Sequence, residues 1–148
     1  QGNPKAVAFS RPKQKGALDF SFSGIKTAAL YAMKDMKTGQ PKPDAPSKED
    51  LAASFQCSVV RWLVDKAFAA CELKNSKYLV IGGGVSANSH LREELIRQSK
   101  EKDIQLLLPD LAVTGDNGAM IARRGLEIYE KGHISGINLT AQPNLRIA

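Results

Sequence analysis

The chain has 148 residues, 43% hydrophobic and 24% charged, with a formal net charge of +6. That is the size and make-up of about one soluble globular domain with a proper core, and the length excludes a TIM barrel. No apolar run approaches the ~20 residues needed to cross a bilayer and no secretory pattern opens the sequence, so a cytoplasmic location is expected.

The sequence begins at Gln1 without a methionine, which suggests a processed or excised piece of something longer. Its charge is lopsided. Nine Lys/Arg against Asp19, Asp35 and Asp44 place the whole +6 in residues 1–48, and residues 49–148 are neutral. A basic segment on a neutral body fits contact with a polyanion such as nucleic acid. A lysine-rich solvated surface explains the same charge at least as well.

In chain order, residues 6–10 and 19–23 read as short strands joined by a basic turn containing proline and glycine. In the second, Phe20 and Phe22 alternate with Asp19, Ser21 and Ser23. A helix is predicted over 25–36, followed by the proline-rich loop TGQPKPDAP at 38–46. Ser47 has the character of an N-cap, with Glu49 and Asp50 in the first turn of a helix running to about Glu72. Its apolar stripe is predicted as Leu51, Phe55, Val59, Trp62, Leu63 and Ala67. Cys57 and Cys71 sit on that helix about 21 Å apart, too far to bridge, so they are expected as reduced, buried thiols. Then follow a strand at 78–81, a helix at 88–100, a strand at 104–108 and a helix after Asp116 ending near Gly132, with a surface tail after Asn138. This order predicts an α/β domain with a mixed sheet flanked by helices. The later βαβα part supplies parallel strands, and the first two strands form a hairpin at one side.

The candidate chemistry lies at two loops. After the apolar run Tyr78, Leu79, Val80, Ile81 come three glycines, Gly82, Gly83 and Gly84, and then a helix. Such a turn lets backbone approach a ligand and points a helix N-terminus at an anion. It lacks the Lys and Ser/Thr of a Walker loop and the spacing of a dinucleotide fingerprint. A tight βα turn with no ligand reads equally well. Asn88 is either a ligand for a hydroxyl or carbonyl or a helix cap. Asp116, just before a helix, is either a metal or cleft carboxylate or an N-cap. Behind it, Gly118, Ala122 and Gly125 form a helix stripe without bulky side chains, suited to close approach or to tight packing. His90 and His133 are too isolated to suggest a metal site. Ser21, Ser23 and Lys26 lack a general base, though Lys26 could touch phosphate.

Three segments, DFSFSGIKTA (19–28), IGGGVSAN (81–88) and TGDNGAMIA (114–122), together with the opening QGNPKAVAFSRP, resemble the C-terminal part of the TsaD family, also called YgjD or Gcp. The resemblance covers nearly the whole chain. It implies a single lobe, residues 1–148, of a longer two-lobe protein of the actin-like ATPase (ASKHA) fold, whose ribonuclease-H-like lobes clasp a nucleotide.

The family activity it implies is transfer of threonylcarbamoyl from threonylcarbamoyl-AMP to N6 of adenosine 37 in tRNAs reading codons that begin with A. It also implies bound iron or zinc, ATP or threonylcarbamoyl-AMP as nucleotide ligand, and TsaB and TsaE as bacterial partners, with TsaC supplying the intermediate. Carried over by motif, Asp116 matches the metal-ligand aspartate and Asn88 the substrate-binding asparagine. Gly82, Gly83 and Gly84 match the segment lining the adenosine pocket. Thr114 and Gly115 stand where the family more usually has Cys-Thr, which puts the local turn in doubt. The family's H-x-x-x-H metal motif and phosphate loop, both of its N-terminal lobe, do not occur here. The isolated chain is therefore expected neither to hold metal tightly nor to modify tRNA, and segment 1–48 to contribute to tRNA binding in the complete complex. The competing readings are a nucleotide- or tRNA-binding lobe without chemistry, the glycoprotease suggested by the older family name, and a carbamoyltransferase of related fold.

Overall fold

A computed structural model describes residues 2–11 and 16–143. Its helices are α1 (Ser23–Met33), α2 (Lys48–Leu73), α3 (Ser89–Glu101) and α4 (Gly118–Glu130), and its strands β1 (Tyr78–Val80) and β2 (Gln105–Leu107). Short 3-10 turns occupy Gly84–Ala87 and Leu111–Val113. The chain divides into two units between Thr114 and Gly115.

Local chemistry sets the helix ends. Ser47 accepts a hydrogen bond from the Asp50 amide at 3.0 Å and starts α2, with Glu49 and Asp50 favourable against the helix dipole. At its far end Asn75 takes a positive φ, and the amides of Asn75 and Ser76 turn back to Glu72 and Cys71. This is a Schellman stop with asparagine in the left-handed position. Asp103 ends α3 and Gly132 ends α4 in the same way. Helix α1 stops at Met33 rather than near Met36, because the Asp35 carboxylate accepts the Lys37 and Thr38 amides and folds a turn at that point.

The core of the first unit is Val60, Val64 and Phe68 of α2 against Leu91 and Leu95 of α3. Half-buried Leu79, Ile81, Ile104 and Leu106 close it from the strand side. The buried ridge of α2 thus lies one residue on from the predicted stripe, a rotation of about 100°. Trp62 is buried as expected, whereas Leu51, Phe55, Val59, Leu63 and Ala67 are half-buried flanks. Both cysteines lie free on α2, as expected, Cys71 buried but Cys57 only half-buried because it lies off the buried ridge.

The sheet corrects the prediction. Strands β1 and β2 pair in parallel, Leu79 opposite Leu106, as the βαβ reading requires. Among the described residues they are the only strands, so the sheet is parallel and two-stranded rather than mixed. Residues 6–10 and 19–23 form no hairpin, and part of the basic turn between them (12–15, with Lys13 and Lys15) lies outside the described residues.

The reason is that α2 side chains, not a neighbouring strand, satisfy this backbone. The Ser54 hydroxyl accepts from the Val7 amide and donates to the Asn3 carbonyl. The Asn3 amide donates to the Asp50 carboxylate at 2.6 Å, the leading cause that holds this carboxyl below its ordinary pKa. Lys66 donates to the carbonyls of Ala17 and Asp19. The period-2 pattern survives without a ladder: Val7 and Phe9 face inward, Phe9 meeting Phe55 edge-on at 6.0 Å. Phe20 and Phe22 stack on each other at 6.1 Å while staying exposed.

In the second unit Asn117 caps α4 by accepting the Met120 amide, and no α4 side chain is buried. Residues 139–143 are exposed without regular structure, and the rest of the tail lies outside the described residues. Among the described residues no helix is long and apolar enough to cross a membrane.

Candidate functional site

Ligands of open parallel sheets collect outside the carboxyl ends of the strands. Strand β1 ends there in Gly82, Gly83 and Gly84, and β2 in Pro109 and the 3-10 turn Leu111–Val113 that leads toward Asp116.

The glycine turn has one conformational requirement. Gly83 sits at φ +82°, where a side chain is strained. Its carbonyl accepts the Ser86 amide at 3.0 Å and opens the turn Gly84–Ala87. A Cβ at Gly82, Gly83 or Gly84 would meet no protein atom within 4 Å, so the chain's own packing does not demand the other two glycines. The triplet presents bare backbone.

Beside it lies a cavity of about 300 Å³ with almost wholly apolar walls. It is lined by Leu18 and Phe20, by Ile81 and Gly82 after β1, and by α2 residues such as Leu63 and Ala67. Ser86 also lines it, and its buried hydroxyl has no hydrogen-bond partner among the described residues.

Asn88 follows the turn with both ends of its amide engaged. Its oxygen accepts the Leu91 amide at 2.9 Å, which makes it the N-cap of α3, and its nitrogen donates to Gln56 on α2 at 3.2 Å. The capping alternative is realised, and a contact to substrate through the amide nitrogen would replace the Gln56 bond.

Asp116 is the reverse case. The cap of α4 is its neighbour Asn117, so capping does not account for Asp116. Its side chain is exposed in the second unit. A lone carboxylate does not hold a catalytic metal, which takes three or more protein ligands. Among the described residues no three His, Cys, Asp or Glu side chains converge. The donor set of this chain therefore does not fit a metal by itself. The stripe Gly118, Ala122 and Gly125 is exposed, with no atom within 4 Å of a Cβ at either glycine.

Sequence reasoning missed Arg92. It lies in the first turn of α3, where a cation opposes the helix dipole, and that misplacement is the signal that could have exposed it. Its guanidinium donates to the Ser86 carbonyl and to the Pro109 carbonyl, both at 2.6 Å. Of the basic N-terminal segment, Lys26, Lys34, Lys37 and Lys48 are exposed, while Arg11 is ion-paired with Asp65 of α2.

Comparison with known proteins gives these positions a context. The profile of the family TsaD, described as tRNA N6-adenosine threonylcarbamoyltransferase, matches residues 1–123. Curated proteins of that name resemble the chain along almost all of its length. The one from Clostridium beijerinckii is 40% identical over 148 residues, 99% of this chain and 43% of its own. That from Thermosipho africanus is 42% identical over 147 residues, with the same two coverages. That from Dictyoglomus turgidum is 45% identical over 140 residues, 93% of this chain and 41% of its own. The chain thus spans less than half the length of these relatives. Glycine turn, Asn88 and Asp116 all fall inside the matched span, and the chain belongs to the TsaD family.

Proposed function

We propose that the chain is one lobe of a two-lobe, cytoplasmic tRNA N6-adenosine threonylcarbamoyltransferase of the ASKHA type. The complete enzyme moves threonylcarbamoyl from threonylcarbamoyl-AMP to N6 of adenosine 37 in tRNAs reading codons that begin with A, in company with TsaB and TsaE. The observation that carries this is the bare glycine turn within the family match: three glycines, one required by φ, with nothing of the chain packed on them. Backbone left open in that manner suits the adenosine of threonylcarbamoyl-AMP or ATP. The adjoining cavity is at the small end of ligand pockets and offers apolar walls with a spare hydroxyl.

In this reading the chain's own groups bind and orient. Asn88 turns its amide from Gln56 to the substrate, and the exposed lysines of 1–48 meet tRNA phosphates. Asp116 would contribute one carboxylate to iron or zinc, with two histidines from outside this chain completing the set. Such an ion would supply Lewis-acid polarisation of substrate oxygens. The chain alone lacks that set, so it should neither retain metal nor modify tRNA.

The test is threonylcarbamoyl transfer to tRNA by the isolated chain, by the complete protein and by the complete protein carrying Asp116→Ala. Only the unmodified complete protein should be active, with the variant down by at least tenfold. Transfer by the isolated chain, or full activity of the variant, would overturn the assignment.

A further inference from the structure

The two turns that leave the carboxyl ends of β1 and β2 belong to different stretches of chain, with all of α3 between them. Beyond the backbone bond from the Ile81 amide to the Leu107 carbonyl where the strands end, one side chain among the described residues bonds to both. Arg92 Nε donates to the Ser86 carbonyl in the first turn, and its terminal nitrogen to the Pro109 carbonyl at the start of the second, each at 2.6 Å and partly buried. Arginine presents its donors in a rigid planar fork, so the spacing of the two carbonyls is set by one side chain. Hydrogen bonds from a charged donor are also the stronger kind.

The need for such a tie follows from the turn. No protein atom lies within 4 Å of a Cβ on any of its three glycines, and glycine is the most conformationally free residue. After them the segment is held by the Ser86–Gly83 and Asn88–Val85 backbone bonds, the Asn88 cap, the Asn88–Gln56 bond and Arg92. Of these, Arg92 alone reaches the other turn. Its place in the first turn of α3 costs favourable dipole interaction, which a carboxylate there would have gained.

We infer that Arg92 is a positioning residue that couples the glycine turn after β1 to the Pro109 turn after β2, fixing both as one surface. Its role in nucleotide binding rests on the reading above; the coupling itself does not.

The experiment measures amide hydrogen exchange residue by residue in the 148-residue chain, alongside thermal unfolding and titration with ATP. In Arg92→Met both bonds vanish, and amides of 83–88 and of 110–114 should lose protection together, by about tenfold, while those of the α2 core stay unchanged. Lysine is a compact point donor on a flexible stem, so Arg92→Lys should restore protection in one turn only. A role confined to overall stability predicts uniform loss instead, tracking the shift in Tm. Uniform loss, loss in one turn alone with Met, or unchanged exchange in both would overturn the coupling. If wild type binds ATP, Arg92→Met should weaken it by about tenfold; unchanged affinity would confine the coupling to structure and refute its part in binding. If wild type does not bind ATP, the nucleotide reading of the isolated lobe fails, and the exchange data still decide on Arg92.

Discussion

Asn88 caps α3, and the proposed function asks the same side chain to meet substrate, so two substitutions separate the two roles. Asn88→Ala removes the cap of α3, worth about 1 kcal/mol, together with the Gln56 bond, worth about 0.5 kcal/mol at an exposed position. Asn88→Ser keeps a capping oxygen of equal rank and loses only the amide nitrogen. At about 4 °C per kcal/mol for a domain near this size, alanine should lower Tm by roughly 6 °C and serine by roughly 2 °C. Far-UV circular dichroism of the 148-residue chain measures both. The same pair in the complete protein then isolates function: if the amide nitrogen leaves Gln56 for substrate, serine should lower transfer at least tenfold while barely moving Tm. Equal melting of wild type and Asn88→Ala would refute the cap argument. Full transfer by Asn88→Ser would refute the substrate role.

Two further perturbations address the scaffold. Phe68 is 1% exposed at the centre of the α2–α3 core, so Phe68→Ala should cost about 3–5 kcal/mol, most of the stability of a small domain, and urea titration should show its cooperative transition shifted far down or lost. A cost under 1 kcal/mol would mean the core is misassigned. On the surface of α3, the Arg97 guanidinium, then Gln98, hold the Glu94 carboxyl down at about 2. A depressed acid contributes stability above its ordinary pKa and loses it as pH falls toward the folded value. Tm should therefore fall between about pH 5 and 2 more steeply in wild type than in Glu94→Gln, and coincident profiles would show the pair to be inert.

How far the sequence could be read depended on how local each signal was. From Ser47 onward, every helix and both strands have their ends marked within a few residues: Ser47 and Asn88 as caps, Asn75, Asp103 and Gly132 as left-handed stops. Those elements formed within one to three residues of expectation. The strands expected at 6–10 and 19–23 also show their local pattern in the inward Val7 and Phe9, but a strand needs a ladder, and ladders are non-local. Here Ser54, Asp50 and Lys66, about 50 residues away, take the backbone groups instead, and periodicity cannot reveal that. The ridge of α2 slipped by one residue because the helix has apolar side chains on more than one face. The glycine turn and Asp116 were each visible as motifs, whereas Arg92 acts through two backbone carbonyls that no motif records.

The sheet itself bears on what kind of site this is. Purely parallel sheets are stable when both faces are covered. Here α2 and α3 cover one face through Leu79 and Leu106, while Tyr78, Val80 and Leu107 stand on the other, Val80 72% exposed. Leu18 and Phe20 line the cavity together with Ile81 and Gly82, and the Phe20 segment, which carries the right alternation for a strand, pairs with no strand among the described residues. Uncovered sheet and unpaired strand pattern are two independent deficits, and each calls for a different complement: apolar side chains and a hydrogen-bonding edge. A relative of which the chain covers 43% has both to offer in the part the chain does not match. Under the proposed function, that is the physical reason to expect the glycine turn to acquire its chemistry from outside this chain.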